Sequence, residues 1–307
     1  MLLQLTILFL SIVALYWGAE FSLEAGEKVG RFFGLSPLVI GLLLIGFGTS
    51  LPEFFVSQMA SYKGEVDIAM GNIIGSNIAN LFLVLGVSGV LATLNLQTKD
   101  IKRQIVIHLI LTTILALIIY FIGINLISTL IFALFFVFYL FDTFKSMAKE
   151  AVDENEEIEQ IGIRIITRLL AGFALLYAGG DFLVSSGTAL GKILGISSYV
   201  ISAILVAFGT SFPELVTAIL ACIKKKDSQL IVGNIIGSNI FNIAFVLGSV
   251  GFYNIELKNT FTNELMGLFL ASFILIALVA LKKNFGRITG VIYLCCYGAM
   301  ITYWLTS

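Results

Sequence analysis

The sequence predicts an all-α integral membrane protein of ten transmembrane helices, built as two inverted five-helix repeats with broken central helices. Three observations lead to this prediction. The 307-residue chain is 59% hydrophobic, whereas soluble domains are about 45–50% apolar. Two long segments of the chain repeat at a nearly constant offset. Each copy places a proline and a glutamate inside an apolar run.

Apolar runs long enough to cross a bilayer recur along the whole chain. The predicted spans are 2–19, 37–61, 67–92, 104–122, 125–142, 164–181, 197–222, 229–252, 264–281 and 287–305. The first and sixth are expected to extend towards Gly34 and Gly195 as tilted helices. These spans divide the chain into a first repeat at 1–142, an acidic linker at 143–163 and a second repeat at 164–307. An acidic run is typical of a solvated linker, and a regulatory ion site is the alternative.

The distribution of Lys and Arg predicts the orientation. With the N-terminus outside, 15 of the 18 Lys and Arg residues lie on the inner side and 3 on the outer side. Because basic residues concentrate in cytoplasmic loops, we expect a protein of the cell membrane with both termini extracellular and the 143–163 linker cytoplasmic.

The repeats are visible as matching motifs. The matched pairs are LYWGAEF at 15–21 with LYAGGDF at 176–182, GTSLPE at 48–53 with GTSFPE at 209–214, and GNIIGSNI at 71–78 with GNIIGSNI at 233–240. Each copy holds five predicted spans. Because five is odd, the second copy enters the membrane from the opposite side, which is the inverted-repeat architecture of many secondary transporters.

Two acids lie in the middle of predicted spans, Glu53 and Glu214. An uncompensated charge at this depth costs at least about 2.5–3.5 kcal/mol on insertion scales. A buried ion pair would offset this cost, but no Lys or Arg lies in the middle of a span, and His108, near the start of the fourth span, is the only candidate partner. Two acids without a basic partner require a cation or protons.

The two prolines next to these acids add oxygen ligands. Pro52 and Pro213 each remove a backbone donor four residues after a glycine, Gly48 or Gly209, and so free a carbonyl by kinking the helix. Hydroxyl groups follow on the same turns, at Thr49, Ser50, Thr210 and Ser211.

The third and eighth spans supply further polar groups. Ser76 and Asn80 share one helix face, as do Ser238 and Asn242. Other repeated amides, at Asn72, Asn234, Asn77 and Asn239, either bind ions or tie the broken helices together. Carboxylates, hydroxyls, amides and carbonyls without a thiolate cluster indicate a hard-cation site. Two carboxylates neutralise one Ca²⁺, and the same acids could hold several Na⁺ or take protons, while Mg²⁺ is less favoured.

These motifs resemble the calcium/cation antiporter superfamily and, within it, the sodium/calcium exchangers in their compact prokaryotic form. The resemblance covers nearly the whole chain, with GTSLPE and GTSFPE, each followed by GNIIGSNI, similar to the two α-repeats of that family. It implies Na⁺/Ca²⁺ antiport by alternating access at a midplane site, with the first and sixth helices sliding across the others. Glycines spaced by four, Gly26, Gly30 and Gly34 with Gly187, Gly191 and Gly195, fit such a sliding face, and static close packing is the alternative.

The resemblance also assigns ligands position by position. It implies that the metal ligands are Glu53, Glu214, Thr49, Thr210, Ser50, Ser211, Ser76, Ser238, Asn80 and Asn242, with backbone carbonyls for Na⁺ at Gly46 and Ala207. Asn242 stands where K⁺-dependent relatives carry Asp, which disfavours K⁺ co-transport. The Gly-Thr-Ser-x-Pro-Glu pattern favours Na⁺ over H⁺ as coupling ion.

Several alternatives remain open from the sequence: H⁺/Ca²⁺ exchange, Na⁺ exchange against another divalent cation, and a passive cation channel. We expect no enzyme activity, no catalytic residue, no cofactor, no nucleic-acid partner and no obligate protein partner, so that the protein could act as a monomer. The sequence contains neither a GxGxxG fingerprint nor a Walker A motif, which argues against ATP-driven pumping.

Overall fold

The computed structural model of the chain describes residues 1–64, 66–147, 161–194, 210–253, 257 and 260–306. Within these ranges the chain forms helices, and an isolated β-bridge joins Leu94 to Phe285. The helices are α1 (Leu2–Phe32), α2 (Pro37–Val39, Ile40–Ile45 and Gly46–Thr49), α3 (Leu51–Tyr62), α4 (Val66–Ile78, Ala79–Leu85 and Gly86–Leu91), α5 (Lys99–Leu117 and Ile118–Ile122), α6 (Leu126–Met147), α7 (Ile163–Ile193), α8 (Phe212–Ile223), α9 (Ser228–Phe241, Asn242–Leu247, Gly248–Val250 and Gly251–Tyr253), α10 (Thr262–Ala280) and α11 (Arg287–Thr306). The prediction of an all-α fold is confirmed.

Seven of these helices are long and apolar enough to cross a membrane, or eight if α2 and α3 count as one bent span. The predicted seventh span, 197–222, is described only from residue 210, as the shorter apolar helix α8. The prediction of ten spans is consistent with this arrangement and remains a prediction. The boundaries of the two repeats also remain a prediction, because most of the 143–163 linker lies outside the described residues.

The middle of the molecule is formed by α4 and α9. In their most apolar windows 83% and 94% of residues are buried, against 22–39% for α1, α5, α6, α7 and α10. The peripheral helices instead direct large apolar side chains outward, among them Phe121, Leu134 and Ile288. Such an apolar exterior is what a lipid-facing surface requires, whereas α4 and α9 form the interior and carry buried Asn and Ser side chains.

The second span is broken where the sequence predicts it. α2 and α3 meet at Ser50 with a bend of 44°, and Pro52 lies in the first turn of α3. Before the break, α2 packs backbone against backbone on α9: a Cβ at Gly237 would overlap the backbone of Leu42, and one at Gly41 would overlap the carbonyl of Leu230. Glycine is therefore required at this contact.

The first and sixth spans extend beyond the predicted apolar cores, as expected, to Phe32 in α1 and Ile193 in α7. They pack on each other through Gly18, Gly172 and Gly179, where an added Cβ would lie within about 3 Å of the other helix's backbone. These glycines were not predicted as the contact. Gly26 and Gly30 were expected on the sliding face, and they do face α2, through the side chains of Ile45 and Ile40.

Ion pairs join α1 to the segment that follows α8. Lys224 pairs with Glu20 and, at 3.4 Å, with Glu24, while Lys226 pairs with Glu27. Glu24 also contacts Arg168 of α7 at 2.8 Å. Glu20 thus bonds to a neighbouring helix end.

Candidate ion-binding site

Both mid-span acids lie in the first turn of a helix that starts at a break. Glu53 belongs to the first turn of α3 and Glu214 to that of α8. The preceding residues have almost identical backbone angles, φ −86° and ψ 5° at Ser50 and φ −85° and ψ 4° at Ser211. The helix dipole favours negative charge at these positions, so the two breaks present two carboxylates in matching settings.

The two carboxyl groups are fully buried and lack a cationic partner among the described side chains. Neither Glu53 oxygen has a hydrogen-bond partner there, and neither has Oε2 of Glu214. Hydroxyl groups of Ser76 and Thr210 lie near enough to interact with the Glu53 carboxyl group, without reaching hydrogen-bond geometry. Since one unsatisfied buried polar group costs about 1–3 kcal/mol, and a charged one more, these oxygens are arranged for a bound cation or for protons.

Three further predicted ligands are also buried without hydrogen-bond partners for their side-chain polar atoms. The amide groups of Asn80 and Asn242 make no hydrogen bond within the described ranges, and neither does the hydroxyl of Ser211. Asn80 and Asn242 lie one turn beyond Ser76 and Ser238, within or beside the π-helical segments of α4 and α9. π-Helical segments occur frequently at functional sites, and here they occupy matching positions in both repeats.

The first repeat's GTS motif contacts the second repeat's GNIIGSN motif. Oγ1 of Thr49 lies 3.3 Å from Oγ of Ser238 and 3.5 Å from Oδ1 of Asn234. Thr49 and Ser238 both donate to the backbone carbonyl of Gly46, at 3.3 and 3.2 Å. The predicted carbonyl ligand at Gly46 therefore lies among the predicted hydroxyl ligands.

The converse contact joins the second repeat's GTS motif to the first repeat's GNIIGSN motif. Thr210 lies 2.9 Å from Ser76 and donates to Oδ1 of Asn72 at 3.0 Å. Asn72 donates in turn to the carbonyl of Glu53 at 3.1 Å and to Ser57 at 2.8 Å. Asn72 and Asn234 thus tie the broken helices to α4 and α9, which is one of the two roles expected for the repeated amides.

A direct bond also crosses between the repeats at the acids. Ser50 donates to Oε1 of Glu214 at 3.2 Å. Thr49 and Ser238 lie near the same carboxyl group. Of the twelve predicted ligands, Ala207 lies outside the described residues. The remaining eleven are Glu53, Glu214, Thr49, Thr210, Ser50, Ser211, Gly46, Ser76, Ser238, Asn80 and Asn242, all on α2, α3, α4, α8 and α9 or at the breaks before α3 and α8.

His108 has a role that the sequence did not predict. It was weighed only as a partner for the acids, but its Nε2 lies 3.4 Å from Nδ2 of Asn239 and its Nδ1 lies 3.2 Å from Oγ of Ser272. Nδ2 of Asn239 also donates to the carbonyl of Asn77 at 3.2 Å. His108 therefore links α5 to α9 and α10, and Asn239 in turn links α9 to α4. The only signal in the sequence was a single histidine inside an apolar span.

Taken together, the site offers two carboxylates, hydroxyls, amides and a carbonyl in a dry interior. This set of hard oxygen donors matches Ca²⁺, which takes about 6–8 oxygens in flexible geometry, better than a transition metal. Within the described residues there is no group of three or more His, Cys, Asp or Glu that could hold a metal. Ten of the twelve predicted ligands are neutral oxygen donors, and the other two are the carboxyl groups of Glu53 and Glu214.

Comparison with known proteins also indicates a cation exchanger, and the matches extend over nearly the whole chain. The family described as sodium/calcium exchanger protein matches residues 3–145 and 165–306. The uncharacterized membrane protein MJ0091 of Methanocaldococcus jannaschii is 32% identical, covering 94% of this chain and 93% of its own. The sodium/calcium exchanger MaX1 of Methanosarcina acetivorans is 28% identical, covering 96% of each chain.

Solved structures of the sodium-calcium exchanger NCX_Mj have the same fold. The form soaked with 10 mM Na⁺ and zero Ca²⁺ superimposes with a TM-score of 0.86 at 30% identity, covering 98% of both chains. The form soaked with 2.5 mM Na⁺ and 10 mM Sr²⁺ gives a TM-score of 0.85.

Proposed function

The chain belongs to the sodium/calcium exchanger protein family and is a multi-pass membrane antiporter of the cation/Ca²⁺ class, and we propose that its coupling ion is Na⁺. In this proposal Ca²⁺ and Na⁺ bind in turn to one site that faces the two sides of the membrane alternately. The main observation in support of a shared cation site is the pair of fully buried acids, Glu53 and Glu214. Three of their four carboxylate oxygens have no protein partner among the described residues.

The charge of the site supports mutually exclusive binding. Two carboxylates neutralise one Ca²⁺, and the same oxygens can be shared by Na⁺ ions. Without any cation the site would hold two negative charges away from water, which is costly at this depth. An empty site is therefore costly to move through the membrane interior, and this couples the passage of one ion to the return of the other.

The proposed ligands are the two acids with the hydroxyl groups of Thr49, Ser50, Ser76, Thr210, Ser211 and Ser238, the carbonyls of Gly46 and Ala207, and the amides of Asn80 and Asn242. The contacts between Thr49 and Ser238 and between Thr210 and Ser76 support a site shared by both repeats. The names of MaX1 and NCX_Mj, both sodium/calcium exchangers, support Na⁺ as the counter-ion.

We further propose that both termini face the outside and the acidic linker the cytoplasm, as the distribution of Lys and Arg indicates. In this orientation extracellular Na⁺ drives Ca²⁺ out of the cell. The protein is expected to act without a resident cofactor or enzymatic step.

The test is ⁴⁵Ca²⁺ uptake into proteoliposomes loaded with Na⁺, with H⁺ in excess, or with K⁺ alone. Uptake that requires internal Na⁺ is the expected result. Uptake driven by H⁺ and indifferent to Na⁺ would make the protein an H⁺/Ca²⁺ exchanger, which the unpartnered carboxyl groups also permit. Flux that needs no counter-ion would identify a passive channel. Competition by unlabelled Sr²⁺, Mn²⁺ or Mg²⁺ in the same assay measures divalent selectivity.

A further inference from the structure

The ion pair between Glu20 and Lys224 has a counterpart in the other repeat. Glu20 lies on α1 and Lys224 follows α8. At the repeat offset of 161 residues their equivalents are Asp181 on α7 and Lys63 after α3. Both the acid and the base are thus present twice. Because the repeats are inverted, the two pairs belong to opposite faces of the membrane.

Only one of the two pairs is formed. Lys63 and Asp181 are both exposed, and in the described part of the chain neither takes part in an ion pair. A cavity of about 440 Å³ opens between α3 and α7 at this end, lined by Phe55, Met59, Lys63 and Tyr177 among others. Across its inner end the rings of Phe55 and Tyr177 meet edge to face, with centroids 6.0 Å apart.

The matching helices of the other half are in close contact. α1 packs along α8, and the pairs Glu20–Lys224, Glu24–Lys224 and Glu27–Lys226 join them. The structure is therefore asymmetric. The contact between α1 and α8 near Lys224, here called the Lys224 end, is closed. The equivalent place between α3 and α7 near Lys63, here called the Lys63 end, is open. An inverted repeat whose halves differ in this way reaches the opposite state when the halves exchange conformations.

We propose that Asp181 and Lys63 form an ion pair that closes the Lys63 end in the opposite-facing state, while Glu20 and Lys224 separate. This inference rests on the proposed alternating access. Lys63 lines the cavity between α3 and α7, and Asp181 follows Tyr177, which lines the same cavity, by four residues. Asp181 lies one helical turn beyond Tyr177, and Lys63 two turns beyond Phe55 on the neighbouring helix, so a long lysine can reach back to it.

The two ends differ in the number of ion pairs that can hold them closed. Glu24 and Glu27 have Ser185 and Thr188 as their equivalents, and Lys226 has Glu65. The Lys224 end therefore holds two additional pairs that the Lys63 end cannot form. The state in which the Lys224 end is closed is therefore expected to be the more populated one.

The test is cross-linking of the full-length protein in liposomes, with Cys222, Cys295 and Cys296 replaced by alanine. Two double variants are compared, Glu20→Cys with Lys224→Cys and Lys63→Cys with Asp181→Cys. A short, thiol-cleavable bifunctional reagent is needed, because a disulfide requires Cα atoms about 4.4–6.8 Å apart and a lysine–carboxylate pair holds them further apart.

We expect both pairs to cross-link, each link to stop ⁴⁵Ca²⁺ exchange, and cleavage to restore it. Recovery on cleavage shows that the variant is folded. We also expect the single change Lys63→Gln to slow maleimide labelling of a Glu20→Cys reporter, which becomes accessible when the Lys224 end opens, by about two- to fivefold, the size of effect that a surface ion pair gives. The charge-swapped variant Lys63→Asp with Asp181→Lys should be labelled at the parent rate. The matched control is Lys192→Gln, another exposed lysine.

The proposal is overturned if the 63/181 pair fails to cross-link in protein that exchanges Ca²⁺, or if Lys63→Gln leaves the labelling rate of Glu20→Cys unchanged. Failure of the proposed function has a different signature. In that case the cysteine-free parent shows no Na⁺-driven uptake, while the cross-linking rates still report whether the two pairs form alternately.

Discussion

At the scale of single residues, the buried acids are held without a compensating charge. The Glu53 and Glu214 carboxyl groups begin α3 and α8, and a helix N-terminus contributes about 0.3–1 kcal/mol to a nearby negative charge. This is less than the cost of an unpaired charge in the bilayer interior, at least about 2.5–3.5 kcal/mol. In the proposed function the remaining stabilisation comes from the transported cations, so that the acids are the point where binding and transport are coupled.

Replacing either acid by its neutral isostere should therefore remove transport and preserve the fold. For Glu53→Gln and for Glu214→Gln we expect ⁴⁵Ca²⁺ exchange to fall to the level of protein-free liposomes. The melting temperature in detergent should stay equal or rise, because burying an amide is less costly than burying a carboxylate. Asp100→Asn, in the first turn of α5, is the control and should exchange normally. Retained exchange in both single glutamine variants would remove the proposed mechanism.

Asn242 sets the charge of the site. It is fully buried, and its amide has no partner in the described part of the chain. For Asn242→Asp we expect a third carboxylate, so that a Ca²⁺-loaded site keeps one negative charge and needs a further monovalent cation. Exchange should then depend on K⁺ or fall as pH rises, measured as ⁴⁵Ca²⁺ uptake with K⁺ or choline outside. Exchange that equals the parent rate in choline at every pH would contradict this. Ser272→Ala, next to His108, is a control that leaves the charge unchanged.

The acids and hydroxyls of the site could be predicted because each stands out against an apolar run. Their partners could not. Thr49 and Ser238 are 189 residues apart in sequence, and nothing local indicates that the repeats cross at this contact. His108 was missed for the same reason: its partners, Asn239 and Ser272, lie 131 and 164 residues away. Side-chain contacts between distant segments follow from the packing of whole helices.

At the scale of elements, the break between α2 and α3 follows from Pro52. Proline cannot donate to the carbonyl of Gly48 and clashes with it, and the observed bend is 44°. The sequence therefore predicted the break correctly. It did not predict the π-helical segments Ala79–Leu85 and Asn242–Leu247, because one extra residue in a helical turn leaves no pattern in an apolar run.

Restoring a donor at the break should favour a straight helix. For Pro52→Ala we expect the helix to become continuous through Ser50, because the restored N–H can donate to the carbonyl of Gly48, with a melting temperature that is equal or higher. Exchange should fall at least tenfold, because straightening moves Glu53 away from Ser76 and Thr210. Pro37→Ala is the matched control: Pro37 occupies the first turn of α2, where proline is tolerated, and exchange should be unchanged. A Pro52→Ala protein that transports at the parent rate would show that the bend is not needed.

At the scale of the whole molecule, the two repeats have the same parts in different arrangements. Ser50 donates to Glu214, whereas the equivalent hydroxyl, Ser211, is buried without a partner among the described residues. The same difference separates the Lys224 end from the Lys63 end. Duplication was visible in the sequence as motif offsets of 161 and 162 residues, but which half is closed depends on the relative position of packed helices.

This asymmetry gives opposite predictions for two equivalent serines. If the repeats exchange conformations during transport, Ser50→Ala weakens the state seen here and Ser211→Ala weakens the opposite state. A hydrogen bond to a charged group contributes about 1.5–3 kcal/mol, so the ratio of the two populations should shift by at least about tenfold.

The reporter is maleimide labelling of Val56→Cys, at the cavity on the Lys63 end, in protein whose three native cysteines are replaced by alanine. Labelling should slow in Ser50→Ala and be equal or faster in Ser211→Ala, with Ser185→Ala as a control outside the site. Shifts of the same sign in both serine variants would mean that the two halves do not exchange roles, and that the crossing bond between Ser50 and Glu214 only supports the fold.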